Sequence, residues 1–188
     1  MTAGLVDYAD IATSTIAERR TAATRWARHA LSNDAALIIG LRTSHPGGEG
    51  FLAEISLIDT SGTIRLNTLV NPRMDIDDSI TRNHHLTNEM VAGAPTFDQI
   101  LPDLLQLTAG RKIAAYNPCA AVHTLLDDTH RAVMDPEHLK DPATWHNIAR
   151  MRSEWLGRPA HYLPLPNAPR TLAHCHAVLH VIRDIGID

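Results

Sequence analysis

The histidines near the end of the chain carry side chains that are well suited to metal chemistry. His176 and His180 are four residues apart, so they share one face of a helix, as a two-histidine metal site requires. His174 lies about 200° around the same helix from His176 at 3.6 residues per turn, so the three cannot form one site. We interpret His176 and His180 as surface or partner-facing residues and expect no metal there.

Arg42 carries a permanent positive charge directly after the apolar run 35–41. A guanidinium group can bind phosphate through two parallel hydrogen bonds. Arg170 and His174, one helical turn apart, could add to the same basic pocket. The pattern predicts phosphate binding by Arg42, Arg170 and His174 that needs no metal and weakens with salt. The alternative is an arginine that faces solvent from a loop.

Cys119 and Cys175 are the two cysteines of the chain, too few for a disulfide framework. Such a composition suits a reducing compartment, and we expect a cytoplasmic protein. Two buried free thiols are the expected state. The alternative is a redox-linked pair or a metal site of cysteine and histidine.

The composition is typical of a globular chain without a strongly basic surface. Hydrophobic residues make up 44% of the 188 residues, and the net charge is -4 with neutral histidines. No apolar run approaches the ~20 residues of a membrane-spanning helix, and the first residues lack a signal-peptide pattern. We expect one domain over 1–188 with a loose lead-in at 1–14, no membrane contact, and nucleic-acid contact only at a local basic patch.

Aromatic residues are scarce, at 4% of the chain, which leaves few rings for stacking on nucleic-acid bases. Trp26, Trp145 and Trp155 fit apolar helix faces and are expected in the interior. Phe51 and Tyr162 are the rings expected at the surface.

A helix and three strands come first among the elements that must position these residues. A capping box at Thr15 and Glu18 predicts the start of the helix. The run 35–41 is short and apolar on both faces, which is typical of a central buried strand. It should pair with strands at 51–59 and 63–70 in an antiparallel meander.

Helices and one more strand fill the second half. A long irregular segment, 72–95, leads to a helix capped by Thr96 with Gln99. A strand at 112–116 follows, and 135–142 is expected to be a loop. Further helices are expected from 117, over 145–156 and over 170–185. This order indicates one mixed α/β domain.

Several short strings along this order resemble the DnaQ-like (DEDDh) 3'–5' exonucleases, the family of the polymerase III proofreading subunit and RNase T. They are TLVNP at 68–72, NHHLT at 83–87, VAGAPTF at 91–97, AYN at 115–117, and LPLP with RTLAHC between 163 and 175. The resemblance implies a ribonuclease H-like mixed sheet, with three antiparallel strands and then parallel strands, flanked by helices.

The resemblance also implies a two-metal site. Active members of the family hold two Mg or Mn ions on four carboxylates and use a histidine as general base for phosphodiester hydrolysis. In register with the family, Gly40, Arg42, Ala121 and His174 stand at the four acid positions, and Pro169 stands at the base position. We therefore expect a catalytically degenerate member with no catalytic residues, no metal and no cofactor.

The predicted function is that of a pseudo-exonuclease, which is not an enzyme and binds single-stranded nucleic acid, a nucleotide or another protein. The alternative is a weak or atypical metal-dependent 3'–5' exonuclease that uses His174 and His123. A homodimeric, purely protein-binding module is a further alternative.

Overall fold

The computed structural model describes residues 15–33, 36–47, 50–159, 161–166 and 168–187. The expected lead-in at 1–14 and Ala35 lie outside these residues. The elements in chain order are α1 (Ile16–Asn33), β1 (Ala36–Thr43), β2 (Leu52–Asp59), β3 (Ile64–Leu69), α2 (Asp78–His84), α3 (Asn88–Ala92), α4 (Phe97–Thr108), β4 (Lys112–Ala115), α5 (Pro118–Arg131), β5 (Trp145–Asn147), α6 (Ile148–Trp155) and α7 (Thr171–Ile187).

The five strands form one mixed sheet in the order β3-β2-β1-β4-β5. β1 pairs antiparallel with β2, and β2 pairs antiparallel with β3. β4 pairs parallel with β1, and β5 pairs parallel with β4. The predicted ribonuclease H-like arrangement, three antiparallel strands and then parallel strands, is therefore confirmed.

Each face of the sheet is covered by helices, and β1 contributes alternate side chains to the two cores. Leu37 and Ile39 belong to one core with residues of α4 and α5. Ile38 belongs to the other core, with residues of α1, α6 and α7. Because β1 is buried on both faces, it lies at the centre of the sheet, as its continuous apolar run predicts.

The predicted helix starts are confirmed at α1 and α4. Glu18 accepts a hydrogen bond from the Thr15 backbone N–H at 2.6 Å, and Gln99 accepts one from the Thr96 backbone N–H at 2.9 Å. These bonds satisfy amides that the first turn of a helix leaves without partners. α5 starts with Pro118 in its first turn, where a missing N–H costs nothing.

Three predicted segments were wrong in detail. The segment 72–95 contains the short helices α2 and α3, and the expected loop 135–142 contains a 3-10 turn at Glu137–Lys140. The expected helix over 145–156 begins with strand β5 and becomes helical only at Ile148. β5 takes this form because it pairs with β4, and that pairing is not visible in the local apolar pattern.

The exposure of one aromatic ring differs from the prediction. Trp26, Trp145 and Trp155 pack against the two cores, and Tyr162 is exposed, as predicted. Phe51 is half-buried rather than exposed, because the guanidinium carbon of Arg131 lies 3.1 Å from its ring centroid. Among the described helices, none has both the length and the hydropathy that would let it cross a membrane.

Candidate functional site

A cleft of about 730 Å³ opens where β1 and β4 end beside each other. The last residues of the two strands line it, together with α2, the first turns of α5, and His174 of α7. Parallel strands end at the same edge of a sheet, so the topology brings these distant segments together. The cleft is larger than a second cleft of about 480 Å³, which is lined by residues of α1.

The four residues at the family's acid positions all line this cleft: Gly40, Arg42, Ala121 and His174. Pro169 borders them, since its carbonyl oxygen accepts a hydrogen bond from Arg42 Nε at 3.1 Å. The register with the exonuclease family therefore gathers five residues into one place in space.

Asn83, His84, Tyr116 and Asn117 also line the cleft, and the sequence analysis did not count them as site residues. The sequence does mark these four residues, because they lie within the NHHLT and AYN strings. Their contribution was missed because these strings were used only to establish the register.

No carboxylate is among the described residues that line the cleft. Two buried acids, Glu54 and Asp128, have partners elsewhere. Glu54 binds Arg170 and the Thr171 backbone N–H. Asp128 accepts a hydrogen bond from the Leu52 backbone N–H at 2.9 Å, and it pairs with Arg131.

Arg42 is the cation of the cleft, and backbone oxygens hold it in place. Nη1 donates to Leu41 O at 2.8 Å, and Nη2 donates to Ala168 O at 2.6 Å. Nε donates to both Pro169 O and His84 Nδ1. The guanidinium is therefore held inside the cleft, and part of its N–H groups are already hydrogen-bonded. These bonds connect the end of β1 to the segment before α7.

Two histidines of the cleft, His84 and His174, have lowered pKa values. Burial, aided by the charge of Arg42, lowers the pKa of His174 to about 4. Burial and Arg42 also lower the pKa of His84. The His174 ring makes no hydrogen bond to any described residue. His123 lines the rim and pairs through Nδ1 with Asp127 at 3.0 Å.

Arg170, the third phosphate-binding candidate, has a different partner. Its Nε and Nη2 lie 2.7 and 2.6 Å from Glu54 Oε1, and Glu54 is buried. Arg170 is absent from the described lining of the cleft. Its guanidinium therefore serves the buried carboxylate in the position that the structure gives it.

The described residues do not fit the two metal ions of active exonucleases. They contain no group of three or more histidine, cysteine or acidic side chains that could hold a metal ion. Gly40 also leaves no room for a first acid. A Cβ on residue 40 would lie 2.7 Å from Thr171 O and 3.0 Å from Cys175 Sγ. Hard oxygen ligands, which magnesium requires, are thus missing from this lining.

The two cysteines differ in their surroundings, so the expected pair of buried thiols was wrong. Cys119 is exposed at the start of α5 and lines the cleft, whereas Cys175 is buried. The Cys175 thiol lies 3.5 Å from Ser56 O, and burial raises its pKa to about 12.

Comparison with known proteins identifies the family to which the chain is similar. A family model described as "Exonuclease" (RNase_T) matches residues 49–177. A curated relative, "Uncharacterized exonuclease CP81" of Escherichia phage 186, is 38% identical over 90 residues. That match covers 48% of this chain and 42% of the relative, so this chain spans less than half of the relative's length.

Solved exonuclease structures share the fold. E. coli Exonuclease I in complex with a dT13 oligonucleotide matches at a TM-score of 0.64 and 12% identity, over 80% of this chain and 40% of that one. Exonuclease X in complex with duplex DNA matches at 0.55 and 21% identity, over 80% and 90%. A 3'-exonuclease that recognises the histone mRNA stem-loop matches at 0.57 and 15% identity, over 79% and 80%.

Proposed function

This chain belongs to the RNase_T exonuclease family, and we propose that it is a member that binds single-stranded nucleic acid in its cleft without cutting it. The observation that carries this proposal is the composition of the cleft. It keeps the family's position at the ends of β1 and β4, but its described lining has one arginine and no carboxylate.

Hydrolysis of a phosphodiester by two metals needs carboxylates that hold the ions and thereby activate water. The described lining offers none, and the packing at Gly40 leaves no space for an acid there. Binding of a phosphate needs no metal ligands, since a cleft that lacks negative charge and holds one guanidinium attracts phosphate. The residues therefore support binding more strongly than cleavage.

Nucleic acid, rather than another protein, is the partner that the comparisons favour. Exonuclease I binds a dT13 oligonucleotide, and Exonuclease X binds duplex DNA with a 5' overhang. Both are similar to this chain in fold. We propose that Arg42 and His174 face the nucleic-acid phosphates, whereas Arg170 supports the cleft from behind through Glu54.

Two assays on the purified protein test this proposal. In the first, dT13 and a short RNA are incubated with Mg or Mn, with and without EDTA, beside an active exonuclease. We expect no shortening of either strand. Cleavage that EDTA abolishes would overturn the proposal and favour the alternative, a metal-dependent exonuclease that uses His174 and His123.

In the second assay, fluorescence anisotropy measures binding of labelled dT13 at several salt concentrations. We expect binding that EDTA does not change and that weakens as salt rises, with a slope of about -0.7 per phosphate contacted. The absence of binding at low salt would overturn the proposal.

A matched pair of variants locates the binding in the cleft. Ala121 lines the cleft, so Ala121→Asp places a negative charge there, and Ala121→Asn places a neutral side chain of the same size. We expect the aspartate variant to bind dT13 much more weakly than the asparagine variant. Equal affinities would mean that the strand binds elsewhere.

A further inference from the structure

We propose that Arg42 and His84 form one seat for a single phosphate group, in which Arg42 supplies the charge and His84 supplies a neutral N–H donor. This inference rests on the proposed function, and it names the groups that recognise the ligand. It also assigns a binding role to His84, which the family register does not.

Arg42 is built into the cleft as a fixed cation. The carbonyl oxygens of Leu41, Ala168 and Pro169 lie between 2.6 and 3.1 Å from its nitrogens. A guanidinium group has five N–H donors, and these bonds use one on each nitrogen. One N–H on Nη1 and one on Nη2 therefore have no partner among the described residues. Two such donors are what an oxyanion needs.

His84 Nδ1 has two polar neighbours, the Arg42 guanidinium and the Pro169 carbonyl oxygen. Arg42 Nε–H is directed at His84 Nδ1 over 3.2 Å. His84 Nδ1 also lies 3.2 Å from Pro169 O, which accepts from Arg42 Nε–H, so the contacts alone allow a proton on either ring nitrogen. We infer that Nδ1 accepts, because a proton on it would face the permanent N–H of Arg42 Nε. The ring proton then lies on Nε2. Because His84 also lines the cleft, Nε2–H is a donor available to a ligand there.

The ring stays neutral in this position, which suits a donor with a fixed direction. Burial and the charge of Arg42 both lower the pKa of His84. The charge that attracts the ligand therefore comes from Arg42 alone, and one guanidinium balances one phosphate group. A phosphate with three oxygens available can accept from both Arg42 nitrogens and from His84.

The geometry points to phosphate rather than to a metal ion as the occupant. A carboxylate would repel an anion and attract a cation, and the described lining contains none. Three of the oxygens closest to Arg42 are backbone carbonyls that the guanidinium already occupies. Binding of phosphate here should therefore be unaffected by EDTA.

Two probes test this inference: inorganic phosphate, followed by calorimetry, and labelled dT13, followed by anisotropy. Arg42→Lys keeps the charge but loses the two-nitrogen fork, and we expect a roughly 10- to 100-fold weaker affinity for both probes. Thermal unfolding of each variant verifies that it is folded.

Two variants of His84 separate its two nitrogens. Asparagine places an amide near the position of Nδ1, so His84→Asn keeps an acceptor for Arg42 and loses the Nε2 donor. Glutamine places its amide near the position of Nε2, so His84→Gln keeps the donor. We expect His84→Asn to weaken phosphate binding by about 2- to 10-fold, and His84→Gln to bind within about 2-fold of the wild type.

The tautomer can also be measured without any variant. Long-range ¹H–¹⁵N NMR spectra distinguish the two neutral forms of histidine. We expect His84 to carry its proton on Nε2 at pH 7. A proton on Nδ1, or a charged ring, would overturn the inference whatever the variants do.

The outcomes separate this inference from the proposed function. If dT13 binds the wild type and all three variants equally, the proposed function stands and the seat at Arg42 and His84 is wrong. If dT13 fails to bind but inorganic phosphate binds and Arg42→Lys abolishes it, the seat stands and the proposed function is wrong.

Discussion

Thr171 O lies 2.7 Å from the point that a Cβ of residue 40 would occupy. The first turn of α7 thus packs directly on the backbone of β1 at Gly40. Cys175 Sγ, one turn further along α7, lies 3.0 Å from the same point. Real Cβ atoms do not approach a backbone oxygen this closely, so glycine is required here by the close approach of the helix.

Gly40→Ala should therefore destabilise the protein although it adds only one methyl group. Either α7 or β1 must shift, and we expect a loss of about 1–3 kcal/mol in the free energy of unfolding. Gly93→Ala is the control, because nothing lies within 4 Å of its Cβ position and its φ is -97°. Urea denaturation measures both variants. Equal stabilities would contradict the packing described for α7.

The course of β1 and the antiparallel meander of β1, β2 and β3 were predictable because the signals are local. Leu37, Ile38 and Ile39 form an unbroken apolar run, and the strands that follow alternate with turn residues between them. The short helices α2 and α3 were not predictable in the same way. They rest on capping by Asp77 and Thr87 rather than on an apolar stripe.

The site was predictable only in part. The family register gathered Gly40, Arg42, Ala121 and His174, and all of them line one cleft. The hydrogen-bond partners of Arg42 could not be predicted from the sequence. Ala168 and Pro169 lie more than 120 residues away in the chain, and only the folded structure brings their carbonyl oxygens to the guanidinium.

Acid should destabilise the protein partly through His146. Its Nε2 accepts a hydrogen bond from Trp26 Nε1 over 3.4 Å, which requires a neutral ring. Burial, with the charge of Lys112 nearby, lowers the pKa of His146 to about 4 from its ordinary value of 6.5. The unfolded chain binds this proton more readily, so the stability that His146 contributes is present above about pH 6.5 and is lost as pH falls toward 4.

His146→Gln tests this dependence, because glutamine can accept from Trp26 but does not titrate. Urea denaturation followed by tryptophan fluorescence between pH 7 and pH 4 should give a flatter profile than the wild type. His161→Gln, at an exposed position, should leave the profile unchanged. If His146→Gln loses stability as steeply as the wild type, another group controls this pH range.

The two thiols should react at very different rates. Cys119 is exposed, whereas Cys175 is buried against Ile38 O and Ser56 O, and its raised pKa disfavours the reactive thiolate. In the native protein we expect a thiol reagent to modify one cysteine rapidly. Cys119→Ser should remove that rapid phase, and denaturant should restore modification of Cys175. Rapid modification in Cys119→Ser would show that α7 opens readily.

Arg170 and Arg42 should affect different properties, although both were candidates for phosphate binding. Arg170 pairs with Glu54, whose side chain is only 4% exposed, so Arg170→Gln leaves a buried carboxylate without its cation. We expect roughly 1–3 kcal/mol less stability in urea denaturation, because a buried charge without its partner is costly. We also expect an affinity for dT13 close to that of the wild type.

Arg42→Gln should instead lose affinity for dT13, because the two N–H donors of Arg42 that have no partner among the described residues serve the ligand. If Arg170→Gln loses affinity while its stability is unchanged, the guanidinium of Arg170 leaves Glu54 to bind phosphate, and the division of roles between the two arginines is wrong.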